Sequence, residues 1–174
     1  VSPSEGQSGM SHAITVKTPL RLYQVEKDSN SELHVCSGTP ADCVKLALNK
    51  LMPRKPDLVL SGVNHGSNSA ASVFYSGTIA AAREGTINGI PAIGFSYCDY
   101  SMNPDYTVVK KVIRAILSEA FSKNLSPDYC LNVNIPKTDE KSLKGMRICR
   151  QTRGYWKEEF DKRTDPNGFD YYWL

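Results

Sequence analysis

Apolar residues along this chain come in short runs that alternate between strand-like and helix-like spacing. A polar Gly/Ser loop, Ser4 to Ser11, is followed by two strand-like stretches, Ala13–Val16 and Leu20–Val25. A polar turn at Lys27–Ser31 and a third strand near Leu33–Cys36 come next. Thr39 then caps a helix, Pro40 suits its first turn, and Asp42 completes a Thr-x-x-Asp box. Val44, Ala47, Leu48 and Leu51 fall on one face at i, i+3, i+4, i+7, and Pro53 and Pro56 stop the helix. Asp57-Leu58-Val59-Leu60 reads as a strand buried on both faces and runs into a Ser/Gly/Asn/His loop, Ser61–Ser69. A second helix spans Ser76 to Gly89, a strand follows at Ala92–Ser96, and a third helix runs from Asp105 to Lys123. That helix carries Val108, Val109, Val112, Ile113, Ile116, Leu117 and Ala120 on one face. Leu131, Val133 and Ile135 alternate with Asn132 and Asn134 as a last clear strand. Repeated strand–helix order predicts an α/β fold, a Rossmann-like three-layer sandwich with a mostly parallel sheet and right-handed crossovers. From Lys137 the pattern weakens into strands and an arm.

Composition narrows the class. The 174 residues suit one domain, and 40% apolar with 22% charged residues is ordinary for a water-facing globular chain. No apolar run reaches the ~20 residues that cross a bilayer, and no signal peptide opens the sequence, so no membrane partner is expected. A net charge of +3, evenly scattered, argues against a nucleic-acid partner. The basic cluster Lys144, Arg147, Arg150 and Arg153 reads as a solvated strand edge. Five cysteines, without a CxxC pair, point to reduced structural thiols and a cytoplasmic setting. His12, His34 and His65 show no zinc-like spacing. Both ends look cut: Val1-Ser2-Pro3 reads as the tail of a strand, and the sequence stops within Tyr171-Tyr172-Trp173-Leu174.

In doubly wound sheets ligands bind beyond the carboxyl ends of the strands. Two loops lie at that end, Ser4–Ser11 and Ser61-Gly62-Val63-Asn64-His65-Gly66-Ser67-Asn68. The second leads to Ser76-Gly77-Thr78 at a helix start, where free N–H groups and the positive dipole end favour a phosphate. A serine at a helix start is commonly only a cap, and a Gly/Asn loop only a turn. His12 beside Ser8 and Ser11 suggests a serine nucleophile and base, but no G-x-S-x-G elbow and no third orienting group accompany them. His65 could touch a substrate or simply face solvent.

Taken together, Ser2-Pro3, Gln7–His12, Ser37–Val44, Ser61–Asn68 and Tyr75–Thr78 resemble the SurE family in order and spacing. Asn132–Pro136 and Arg150–Arg153 are similar to it as well, so the resemblance spans nearly the whole chain. It implies a phosphatase that removes phosphate from nucleoside 5′- and 3′-monophosphates with a divalent cation, and in some members trims short polyphosphate. In the family two adjacent aspartates of an Asn-Asp-Asp-Gly motif bind the metal with a serine and an asparagine. Ser8 matches that serine and Asn64 that asparagine. The paired aspartates have no counterpart here and are expected about 25–30 residues upstream of Val1, an interval of one helix and its connections.

The resemblance further implies substrate or phosphate contacts from Asn64, Gly66, Asn68, Ser76, Gly77 and Thr78. Oxygen ligands of this kind suit Mg²⁺ or Mn²⁺. Asp42, Asp99 and Asp105 are the carboxylates within the chain that could stand in for the missing pair. The expected unit is one SurE-like domain over 1–174, lacking its N-terminal strand, with 137–174 beginning an exchanged arm of a homodimer or homotetramer. Tyr155, Trp156, Phe160, Phe169 and Tyr171–Trp173 would suit that contact. A non-catalytic nucleotide- or phosphate-binding domain is the alternative, and a structural fragment with an incidental pocket is a third reading.

Overall fold

A computed structural model describes residues 1–174. Strand β1 (Ser2–Pro3) pairs parallel with β3 (Glu32–Cys36), and β2 (Leu22–Lys27) pairs antiparallel with β3 on its other side. Helix α1 (Pro40–Leu46) continues through a π-turn, Ala47–Leu51. Strand β4 (Val59–His65) starts a second, all-parallel sheet of order β4-β5-β6, with β5 at Ala92–Cys98 and β6 at Cys130–Pro136. Short α2 (Ser72–Tyr75) and α3 (Gly77–Ile87) connect β4 to β5; α4 (Thr107–Ser122) connects β5 to β6. A hairpin of β7 (Asp161–Thr164) and β8 (Asp170–Trp173) ends the chain.

The three layers follow from the period-2 alternation along β5. Ile93, Phe95 and Tyr97 turn to one face and pack with Val109 and Val112 of α4 and Ile135 of β6. Full burial of each such side chain contributes about 1.5–3 kcal/mol. Gly94 and Ser96 turn to the other face, beneath α3. A Cβ on Gly94 would lie 2.7 Å from the Ile79 side chain, so glycine is what lets α3 approach the sheet closely.

Several expectations change at this level. Ala13–Val16 forms no strand, because side chains take the backbone groups that a ladder would use. Thr39 Oγ1 donates to the Ala13 carbonyl at 2.7 Å, and the Thr15 N–H donates to the Asp42 carboxylate. The second strand lies at Leu22–Lys27 rather than Leu20–Val25. Strand β4 is not buried on both faces: Leu60, its second residue, is 48% exposed, since β4 has β5 as its sole neighbour and stands at a sheet edge. It also runs on through His65, so the first half of the expected loop is strand. Asn64 and His65 pair with Ser96 and Tyr97 after an irregularity between Ser61 and Asn64. The α1 stripe of Val44, Ala47, Leu48 and Leu51 is half-buried, while Ala41, Asp42 and Cys43 form the buried face. The Lys144–Arg153 segment is exposed and irregular, not a strand edge.

Candidate phosphate and metal site

The site forms where β4 ends and α3 begins. Ser76 caps α3 by accepting the Ile79 N–H at 3.1 Å, and the first intrahelical bond runs from the Ala80 N–H to the Ser76 carbonyl. The N–H groups of Gly77 and Thr78 precede that bond and belong to the free first turn of the helix. Thr78 Oγ1 donates to Asn64 Oδ1 at 3.3 Å, and Asn64 Nδ2 donates to the Gly66 carbonyl at 2.8 Å. The second bond fixes which way the Asn64 amide faces: its nitrogen points into the loop and its oxygen towards the helix start.

The N-terminal loop closes on the same place. A Cβ on Gly77 would lie 3.5 Å from the Gln7 carbonyl and 2.9 Å from the Pro40 ring, so the residue before Ser8 passes directly over the helix start. Ser11 anchors the loop by donating its N–H to the Tyr75 carbonyl at 3.2 Å and its hydroxyl to the Phe74 carbonyl. Ser8 itself is exposed at the rim. The fold therefore gathers Asn64, Ser76, Gly77 and Thr78 and sets the Ser8 loop above them.

Gly66 and Asn68 lie behind this rim. Gly66 has φ +100°, and a Cβ there would meet the Tyr100 ring at 2.6 Å. Asn68 is buried; its side-chain nitrogen donates to Ser96 Oγ at 2.9 Å and its N–H to Asn134 Oδ1 at 2.8 Å. Asn132 Nδ2 donates back to the Asn68 carbonyl at 2.7 Å. Both residues thus seat the loop that follows Asn64 and His65.

Sequence reasoning missed this seat. Tyr100, whose hydroxyl accepts the Ser67 N–H at 3.1 Å, gave no local signal. Asn132 and Asn134 did, since polar residues two apart share one face of a strand. The crossing of residues 151–156 over Ala70–Ser72 also went unforeseen; Gln151 Nε2 donates to the Ala70 carbonyl at 3.0 Å.

None of the three stand-in carboxylates is free. Asp42 accepts from the Thr39 N–H at 2.9 Å and from the Thr15 N–H on both oxygens. Burial works to raise its pKa, and those hydrogen bonds outweigh burial and hold it below the usual carboxylate range. The Ser101 N–H, with Lys137 3.1 Å away, holds Asp99 low. Asp105 is bound by the Thr107 hydroxyl and N–H at the start of α4. His12 reaches Glu84 rather than Ser8, so the serine–histidine pairing does not form. No three His, Cys, Asp or Glu side chains group as a metal cluster. The oxygens of Ser8 and Asn64 fit a hard cation in kind, while its charge calls for carboxylates that residues 1–174 do not bring there.

Fold and site define a doubly wound α/β protein with a serine-capped helix start beside Asn64 at the carboxyl end of its parallel sheet. The family described as Survival protein SurE matches residues 1–158, and the chain belongs to that family. It is 51% identical over 176 residues to a protein named 5′-nucleotidase SurE from Christiangramia forsetii, covering 100% of this chain and 68% of that one. The protein of the same name from Flavobacterium psychrophilum is 51% identical over 175 residues, with the same coverage. The crystal structure of a SurE protein from Aquifex aeolicus superposes with a TM-score of 0.80 at 37% identity, covering 98% of this chain and 68% of that one. No helix is long and apolar enough to cross a membrane.

Proposed function

We propose that this chain is the larger part of a metal-dependent phosphomonoesterase acting on nucleoside 5′- and 3′-monophosphates, with short polyphosphate as a further substrate. The observation that carries the reading is the Thr78–Asn64 hydrogen bond, which ties the phosphate-binding helix start to a neutral oxygen ligand of hard-metal type. The relatives named 5′-nucleotidase SurE support the activity. In this reading Ser8 and Asn64 hold Mg²⁺ or Mn²⁺ together with two aspartates carried outside residues 1–174. The bound cation supplies Lewis-acid polarisation of the phosphoryl group. The Gly77 and Thr78 N–H groups and the Ser76 hydroxyl bind the phosphoryl oxygens and offset the charge that develops on them, while the Thr78 hydroxyl stays on Asn64 Oδ1. Gly66 and Asn68 keep Asn64 in place beside them.

The aspartates are proposed to sit on a strand between β1 and β4. Two features support that position. β1 has β3 as its only partner and β4 has β5, so each strand presents an unpaired edge. Leu60 of β4 is a large apolar side chain left uncovered at that edge. The five unpaired cysteines suit a reducing, cytoplasmic compartment.

The test is Asn64→Ala in the full-length protein, assayed across a Mg²⁺ and Mn²⁺ titration with a nucleoside monophosphate. We expect kcat/KM to fall about 100-fold, the order of one preorganised electrostatic group, with an unchanged circular dichroism spectrum. Near-normal turnover at every metal concentration would count against the assignment.

A further inference from the structure

Glu84 is 2% exposed, yet it takes no part in the phosphate site. It lies near the far end of α3, and its carboxylate joins three elements. One oxygen receives Lys45 Nζ of α1 at 2.8 Å and Asn88 Nδ2 at 3.0 Å. The other oxygen lies 2.9 Å from His12 Nε2, which comes from the Ser8 loop. A buried carboxylate is tolerated when every oxygen is paired in this way.

Lys45 and Asn88 satisfy one oxygen from within the helices, whereas His12 is the only partner that arrives from the loop. The loop's other anchor to α2 and α3 is Ser11, which bonds backbone carbonyls of Phe74 and Tyr75. Between these anchors and β1, Ser8 is exposed in a turn closed by the Met10 N–H on the Gln7 carbonyl, and neither Gly6 nor Gly9 has a neighbour within 4 Å of a Cβ position. The seating of Ser8 over Gly77 therefore depends on the anchor that follows it in sequence.

We infer that His12 is a positioning residue that, by donating its ring N–H to Glu84, holds the Ser8 hydroxyl at the metal position above the start of α3. The inference rests on the nucleotidase reading for the role of Ser8. It separates two jobs of one carboxylate: the Lys45 side holds α1 to α3, and the His12 side sets the ligand loop.

The experiment measures Mn²⁺ binding to the full-length protein by electron paramagnetic resonance of free Mn²⁺, with metal-dependent phosphate release alongside. His12→Ala should weaken Mn²⁺ binding at least about fivefold, a loss of roughly 1 kcal/mol. His12→Gln, whose amide nitrogen can reach the same carboxylate oxygen, should stay within about twofold of wild type. Lys45→Met breaks the other half of the cluster and should lower thermal stability while leaving Mn²⁺ binding within about twofold, because it leaves the loop contact intact. Mn²⁺ binding by His12→Ala within twofold of wild type overturns the inference. So does Lys45→Met weakening Mn²⁺ binding as much as His12→Ala, since His12 would then matter only for packing. A wild type that neither binds Mn²⁺ nor releases phosphate sinks the nucleotidase reading and the inference with it; a wild type that does both leaves them separable.

Discussion

Ser76 shows how one residue can carry a structural and a chemical role whose costs differ. Its oxygen accepts the Ile79 N–H and caps α3, a contact worth about 0.5–2 kcal/mol of helix stability. Its hydroxyl proton remains available to a phosphoryl oxygen. Vanadate and inorganic phosphate should therefore inhibit competitively, and Ser76→Ala should raise their inhibition constants about tenfold. That factor corresponds to one hydrogen bond to a charged group, ~1.5 kcal/mol. A competition assay in which the mutant's inhibition constants match wild type would leave Ser76 as a cap alone. At this scale the sequence named candidate residues and was blind to their partners. Ser8, Asn64 and Ser76–Thr78 were picked out by composition and resemblance. The engagement of Asp42, Asp99 and Asp105 depends on donors such as Thr15, Ser101 and Lys137, and the Thr15 and Lys137 contacts are distant in sequence.

Elements were legible wherever the chain supplied its own start and stop. Helix α1 is the clearest case: Thr39, Pro40 and Asp42 predicted its first turn, and both halves of the capping box form. The end of β4 was not legible, because Ser61–His65 has loop composition and is held as strand by pairing with β5. Ala13–Val16 failed the other way, with strand-like residues whose backbone is claimed by α1. The Asp42 carboxylate is where these two findings meet, since it serves both the cap and the Thr15 N–H. Asp42→Ala should cost about 2–4 kcal/mol, from the lost cap and buried N–H groups left without an acceptor. Asp42→Asn, which keeps one acceptor oxygen, should cost less. Because folding lowers the Asp42 pKa from 3.8, its charge-dependent stability is present above that unfolded value and is lost as pH falls through the lower folded one. Urea unfolding should thus show a constant gap between wild type and Asp42→Asn from pH 8 to 5 that narrows in more acid buffer. A gap that widens towards low pH would show that the carboxylate is not stabilised by folding.

Across the whole molecule, two of the places where apolar surface is left open have different expected covers. The first is the C-terminal segment, where Tyr155 is 86% and Trp156 74% exposed and the β7–β8 hairpin pairs with no further strand. Exposed aromatic surface of this size is characteristic of an interface core. We propose that it reaches a second copy in a homodimer or homotetramer. Deleting residues 159–174 from the full-length protein should lower the mass seen by sedimentation, and an unchanged mass would refute the arm.

The second is the free edge of β4 at Leu60, where the aspartate-bearing strand is proposed to pair, and it decides what residues 1–174 can do by themselves. Their candidate ligands, Ser8 and Asn64, are both neutral, and Mg²⁺ or Mn²⁺ is normally anchored by at least one carboxylate. Glu84, the one carboxylate tied to the Ser8 loop, is already paired with His12, Lys45 and Asn88. Recruiting it would strip a buried ion of its partners, and breaking such pairing typically costs about 3–5 kcal/mol. Asp42 is held by three hydrogen bonds and caps α1, so moving it would undo the first turn of that helix. Purified residues 1–174 should accordingly release no phosphate from a nucleoside monophosphate above background at any Mg²⁺ or Mn²⁺ concentration. A polypeptide that also carries the paired aspartates should do so. Robust metal-stimulated turnover by residues 1–174 alone would show that the catalytic carboxylates lie within them. The roles given to Ser8 and Asn64 would then have to be reassigned.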